Sequence, residues 1–168
     1  QNKDSSGKSM IRLLTKDNYN IGDFEWSPDG QTIAYAHGQS SEVNDMAYSD
    51  ISSINVSTSQ VKSIVNSPTG ESNPSYSPDG KYLAYYKNGE KHDWSGPEYV
   101  QVISFADNKS WTLKQTPNTD GSILGWTNDS KNVLFSEANK TLNAIYQLSV
   151  DGQSIKEYTI GTKDLISL

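Results

Sequence analysis

Trp26-Ser27-Pro28-Asp29-Gly30 returns as Tyr76-Ser77-Pro78-Asp79-Gly80 and, in decayed form, as Trp126-Thr127-Asn128-Asp129-Ser130. The opening aromatic residues stand 50 positions apart both times. A period of that size marks a repeat architecture and decides the fold before any single element is considered. Within each copy, Pro sets φ near −65° for the first corner of a type I turn, Asp suits the second corner and Gly the exit. The third copy has lost Pro and Gly, and its Asn-Asp-Ser still turns, less rigidly. An aromatic residue enters each turn and an apolar run leaves it: Thr32-Ile33-Ala34-Tyr35, Tyr82-Leu83-Ala84-Tyr85 and Asn132-Val133-Leu134-Phe135. Strand, turn, strand is a hairpin.

Working outward, each hairpin gains two further strands. In the first unit the spacing predicts strands over Ile21 to Trp26, Thr32 to Ala36, Asp50 to Val56 and Val61 to Val65, with a polar loop from His37 to Ser49. In the second unit Ser75-Tyr76 end a first strand. Tyr82 to Lys87, Tyr99 to Phe105 and Ser110 to Lys114 follow, with a loop from Asn88 to Glu98. In the third the strands are Ile123 to Trp126, Asn132 to Ser136, Ala144 to Val150 and Ser154 to Ile160. Asp151-Gly152 is a strong hairpin turn. Residues 1–9 read as a disordered tail, and Met10 to Leu14 as a strand closing a preceding unit. Gly161 to Leu168 read as the start of a further one.

Meandering four-stranded units of this length are the blades of a β-propeller. The expected class is all-β: a partial β-propeller over residues 10–168, with units at about 19–67, 68–117 and 118–160. Three blades cannot close a ring. Open blade faces and strand edges therefore predict either further blades or self-association.

The composition narrows the function. The 168 residues carry 20 acidic against 14 basic side chains, a net charge of −6, with Arg12 the single arginine. No basic face is available for nucleic acid. No apolar run approaches the ~18 residues of a membrane-spanning helix. There is no cysteine, so disulfides, thiol nucleophiles and thiolate metal sites are excluded, while the compartment stays open. The first residue is Gln1, not Met, which fits a removed export signal or a trimmed boundary.

The phrase Trp-Ser-Pro-Asp-Gly-x-x-Ile-Ala-Tyr with the later Asp50-Ile-x-x-Ile-Asn-Val56 resembles the TolB-like, WD-type propeller repeat over residues 10–160. Leu13-Leu14-Thr15-Lys16, then Phe24-Glu25-Trp26, and the long loops between second and third strands are similar to the propeller of prolyl oligopeptidase-family serine peptidases. That second resemblance implies a lid and size filter over a separate α/β-hydrolase domain carrying the Ser-Asp-His triad. It also implies peptides as substrates of the whole protein. The TolB resemblance implies a protein-interaction scaffold of the cell envelope. The expected location is periplasmic or secreted, with the cytoplasm left open. No triad residue transfers to this chain. A nucleophile elbow needs G-x-S-x-G, and Gly121-Ser122-Ile123-Leu124-Gly125 has its serine one place early. Dipeptidyl-peptidase relatives hold the substrate amine with an adjacent glutamate pair, and no two glutamates are adjacent here.

No catalytic, cofactor or metal residues are expected. Ser6-Gly7-Lys8-Ser9 matches only the tail of a P-loop, with Asn2 where the first glycine belongs. His37, Glu42 and Asp45 share a loop without a metal-ligand spacing. Neither histidine has a serine placed to form a nucleophile–base pair. The one candidate ligand or interface loop is His92-Asp93-Trp94 with Glu98 and Tyr99, because aromatic residues on a long polar loop are enriched at binding sites. Trp26, Tyr76 and Trp126, being equivalent in every unit, are expected in matching buried places between blades. Asp29, Asp79 and Asp129 are expected to serve the turns.

Overall fold

In each repeat the apolar run leaving the turn becomes an inner strand with most of the buried residues of its hairpin, and the run two strands later an outer edge. The computed structural model describes residues 11–40, 42–89, 96–119, 121–139 and 142–159. The first sheet holds β1 (Ile21–Trp26), β2 (Thr32–His37), β3 (Asp50–Asn55) and β4 (Val61–Val65). The second holds β5 (Glu71–Tyr76), β6 (Tyr82–Asn88), β7 (Glu98–Ser104) and β8 (Ser110–Thr112). The third holds β9 (Gly121–Trp126), β10 (Asn132–Asn139), β11 (Leu142–Ser149) and β12 (Ile155–Thr159). Each sheet is an antiparallel meander in sequence order. β1 lies against β5 and β5 against β9, so the first strands sit side by side. The fold is a partial β-propeller of three blades.

The turns explain the repeat at atomic level. Asp29 Oδ1 accepts from the Ser27 hydroxyl at 2.6 Å and from the Gln31 amide at 3.0 Å, while the Thr32 amide donates to Ser27 Oγ at 3.0 Å. Asp79 and Asp129 repeat the set with Ser77 and Thr127. So does Asp151 with Ser149, in the turn between β11 and β12. The aspartates are turn-formers, as expected from their side-chain chemistry. Gly30 and Gly80 have φ of 67° and 69°, the left-handed region that glycine enters without cost. Nothing lies within 4 Å of a Cβ built on either. Gly30→Val and Gly80→Val should therefore each cost about 1–2 kcal/mol through the backbone alone, read as lowered urea midpoints with unchanged slope.

Ser130 holds the same position with φ 59°, but its side chain is not idle. It is buried, and its Oγ accepts the Asp79 N–H of the neighbouring blade at 3.1 Å. Restoring glycine by Ser130→Gly removes strain and that hydrogen bond together. Terms of about 1 kcal/mol each then nearly cancel, whereas Ser130→Ala keeps the strain and loses the bond. The alanine variant should melt measurably below the glycine one.

Several expectations change. Residues 11–16 form no strand, since a closing strand needs a blade to pair with and none stands beside them among the described residues. Met10, the tail and 161–168 lie outside the described residues. The loop after β2 folds into a two-turn 3-10 helix, Val43–Tyr48. β8 stops at Thr112, and β10 runs on to Asn139. Trp26 is 49% exposed, while Tyr76 and Trp126 are partly buried against the core. The reason is directional. Trp126 Nε1–H donates to the Ser75 carbonyl at 3.1 Å, and the Tyr76 hydroxyl meets Thr32 Oγ1 at 3.4 Å. Each aromatic residue packs on the blade before its own, and Trp26 has no such blade among the described residues. The buried aromatic of the repeat is instead Tyr35, Tyr85 and Phe135, each no more than 2% exposed.

Candidate functional site

The two ends of the blades differ in kind. One carries the short turns just described. The other carries the loops that follow β2, β6 and β10 and the crossovers between blades. Of the sequence-nominated residues, His92, Asp93 and Trp94 lie outside the described residues. Glu98 and Tyr99 open β7 at the loop end, where the Glu98 amide donates to the Thr119 carbonyl at 3.0 Å. With Thr116 and Phe135 they line a cavity of about 10 Å³ between the second and third blades, room for one water.

His37, Lys87 and Glu137 occupy the same register at that end, opposite Ile21, Glu71 and Gly121. The first of these reverses an expectation. His37 Nε2 lies 2.9 Å from Ser52 Oγ, with Asp50 across the strand pair. The ring also packs against Tyr19 and Tyr35, whose hydroxyls meet at 2.8 Å. A histidine–serine pair exists after all, because β2 and β3 bring together residues 15 apart. Ser52 is 5% exposed in the sheet, and a nucleophile must reach a substrate carbon. Burial lowers the His37 pKa, against the opposing pull of Asp50 and Asp17. Glu42 and Asp45 do not join it: the Ser40 hydroxyl takes Asp45 Oδ2 and the Glu42 amide.

Sequence reasoning missed the buried carboxylates. Glu71 is fully buried, and Glu137 nearly so. Each fastens a crossover between blades. Glu71 Oε1 accepts from Ser67 and Thr69. Glu137 accepts from the Thr116 hydroxyl at 2.5 Å and the Asn118 amide at 3.1 Å. Glu71 Oε2 has no hydrogen-bond partner among the described residues, and burial raises its pKa. The signal was present in the period: a lone acidic residue at the first strand's start, where the other units have Ile21 and Gly121.

These shifts set a pH dependence. Burial raises the pKa of Glu25, Asp50 and Glu71. Such groups contribute stability that is full below their unfolded values and is lost as pH rises through the folded ones. The turn aspartates run the other way. Hydrogen bonds from Ser27, Ser104, Thr127 and Ser149 lower Asp29, Asp107, Asp129 and Asp151. In Asp79 burial opposes, but Ser77 and Lys81 prevail and pull it down to about 2. Their contribution is present above the ordinary aspartate value and is lost as pH falls below it. The lowered His37 runs the same way around the ordinary histidine value, so it opposes the buried carboxyl groups as pH rises. Glu71→Gln should remove part of the loss with rising pH, and its melting temperature should gain on the parent's between about pH 4 and about pH 8. A difference that stays constant over that range would contradict this.

At the turn end, clefts open between neighbouring blades: about 620 Å³ between the first and second, and about 550 Å³ between the second and third. Tyr76 and Phe105 floor the former. The latter is rimmed by Asp79, Asp129 and Asp151 with Lys81 and Lys131.

No protein-family profile matches the chain. Over 150 residues it is 29% identical to Dipeptidyl-peptidase 5 of Porphyromonas gingivalis, covering 86% of this chain and 22% of that enzyme. Among solved structures it superposes on TolB of Acinetobacter baumannii with a TM-score of 0.72 at 20% identity, covering 94% of this chain and 36% of TolB. The β-propeller domain of the Trilobed protease of Pyrococcus furiosus gives a TM-score of 0.65 at 16% identity, covering 86% of this chain and 44% of that one. The chain thus has the TolB-like propeller fold, is related to peptidase propellers, and spans about a fifth of the length of the curated relative it matches.

Proposed function

We propose that this chain is the non-catalytic propeller segment of a prolyl oligopeptidase-family serine peptidase. It acts as lid and substrate-size filter over a separate α/β-hydrolase domain of the same protein, in the periplasm or outside the cell. The observation that carries the reading is the match to a dipeptidyl-peptidase: nearly all of this chain aligns to under a quarter of that enzyme. The physical logic is exclusion. Blades of hydrogen-bonded strands clamped at both ends are stiff, and a stiff ring over a hydrolase pocket admits peptides and rejects folded proteins. The units divide at about 19–67, 68–117 and 118–160. The segment of His92, Asp93, Trp94, Glu98 and Tyr99 is the proposed contact with the hydrolase or the peptide, supported by Glu98 and Tyr99, which stand at the loop end of β7.

A fluorophosphonate probe tests this on the full-length protein. One labelled serine, outside residues 1–168, is expected. Label within these residues would overturn the non-catalytic reading. A protein that takes no label would favour the second reading, a TolB-like interaction scaffold of the cell envelope, for which the superposition on TolB speaks.

A further inference from the structure

The three blades are joined by two seams built on one plan, and the plan is filled in only one of them. The amides of Phe105 and Val150 donate to the Lys81 and Lys131 carbonyls at 2.9 Å, so they hold equivalent positions in the second and third blades. Cross-strand register makes Lys62, facing Ser53, the counterpart of Trp111, facing Val102. Thr32 and Tyr82 likewise correspond, facing Asn55 and Ser104.

In the seam between the second and third blades, three rings close the gap. Tyr82 stacks on Trp126 with centroids 6.3 Å apart, and Trp111 meets Tyr82 edge-on at 6.2 Å. Trp111 Nε1–H crosses the seam to the Val150 carbonyl at 2.6 Å. In the seam between the first and second blades, the places of Tyr82, Trp111 and Val102 are taken by Thr32, Lys62 and Ser53. Only Tyr76, equivalent to Trp126, remains, with Phe105 tilted against it at 5.8 Å. The deficit is one of depth: the cleft of about 620 Å³ reaches down to Ser53, Lys62 and Tyr76, whereas the cleft of about 550 Å³ in the other seam stays among the turn residues and reaches none of Val102, Trp111 or Trp126.

We propose that this slot binds the side chain of a tryptophan presented by a segment of a partner protein. The floor of Tyr76, Phe105 and Ile64 offers apolar and aromatic area, which an indole matches better than an aliphatic chain because ring pairs gain beyond area alone. The Phe105 backbone stands where Val150 accepts the Trp111 N–H. Tryptophan is among the residue types enriched at the energetic centres of protein interfaces. The slot continues the blade–blade interface, so an inserted ring touches both blades. Its charged lining is Asp29, Asp79 and Lys62; Asp79 is paired with Lys81 at 3.1 Å, and Asp29 at the rim favours a tryptophan with a basic residue beside it. A second copy of this chain, at −6 with one arginine, meets that rim with like charge.

The inference is independent of the peptidase reading, and its test reads binding rather than hydrolysis. The probe is N-acetyl-5-fluorotryptophanamide, observed by fluorine NMR with the full-length protein. Saturable broadening is expected, competed by N-acetyltryptophanamide and not by N-acetylleucinamide. Lys62→Trp should fill the slot from within and weaken binding by at least about tenfold. Thr32→Tyr fills it from the other wall and must act in the same direction. The proposal is overturned by an unsaturable response, by equal competition from the leucine analogue, or by undiminished binding in both variants. A self-association that both variants abolish would assign the slot to a second copy and overturn the partner.

Discussion

Phe135→Ala is expected to lower stability by about 3–5 kcal/mol, the range for removing a buried phenylalanine. The size follows from where the ring sits. Phe135 is 2% exposed on β10, between Tyr146 and Ile123 on the flanking strands. Its edge meets the Tyr86 ring of the second blade at 6.1 Å. It belongs to the core cluster that Val100, Val102 and Leu148 share across the two blades. Truncation therefore opens a cavity at a junction, where neither blade collapses without pulling on the other. Phe24→Ala is the control. That ring is 65% exposed, and its loss should stay within about 0.5 kcal/mol. Urea melts followed by tryptophan fluorescence compare the two. Similar midpoints would show that the seam is looser than its packing implies.

Much of this fold could be read from the period alone, because each strand boundary is set by local chemistry. The turn residues fix where β1 and β2 meet, and Asp29, Asp79 and Asp129 do in the structure what an aspartate at a turn corner does anywhere. What stayed hidden depends on neighbours that no local pattern encodes. Trp26 looks identical to Trp126 in sequence, yet its exposure is decided by whether a blade stands before it. Ser130 reads as a decayed glycine until the adjacent turn places the Asp79 amide against its hydroxyl. His37 and Ser52 carry no motif, and only the register of β2 on β3 joins them.

The candidate sites follow the same division. The loop around Trp94 was nominated on composition, whereas the slot between the first two blades becomes visible only when Lys62 is aligned to Trp111 by strand register. The loop between β6 and β7 is one residue shorter than its counterpart between β2 and β3, as the pairing of Leu83 with Ile103 and of Ile33 with Ile54 shows. Counting by 50 from Trp111 lands on Val61, and the substitution that opens the seam goes unseen.

Gly121→Ala is expected to be among the most damaging single-methyl changes, costing about 3 kcal/mol, at the top of the range for overpacking. A Cβ at this position would land on the Ser136 carbonyl and within 2.8 Å of Glu137 Cβ and Phe135 Cε1. The first of these is backbone of the paired strand. It cannot yield without opening the β9–β10 ladder. The damage would spread along two routes. The Gly121 carbonyl accepts the Tyr86 hydroxyl of the second blade at 3.0 Å, and Glu137, directly opposite, holds the crossover through Thr116 and Asn118. Displacing β9 outward thus loosens a seam and a clamp together. Gly22 in β1 is the contrast, since a Cβ there meets only the Ala36 carbonyl at 3.9 Å. Gly22→Ala should be neutral or stabilising by up to about 1 kcal/mol, through the unfolded chain. Native-state hydrogen exchange reads both. In Gly121→Ala the β9 and β10 amides should lose protection before those of β2 and β3. If their protection is unchanged, the close approach of Gly121 to the Ser136 carbonyl is not a feature of the folded protein.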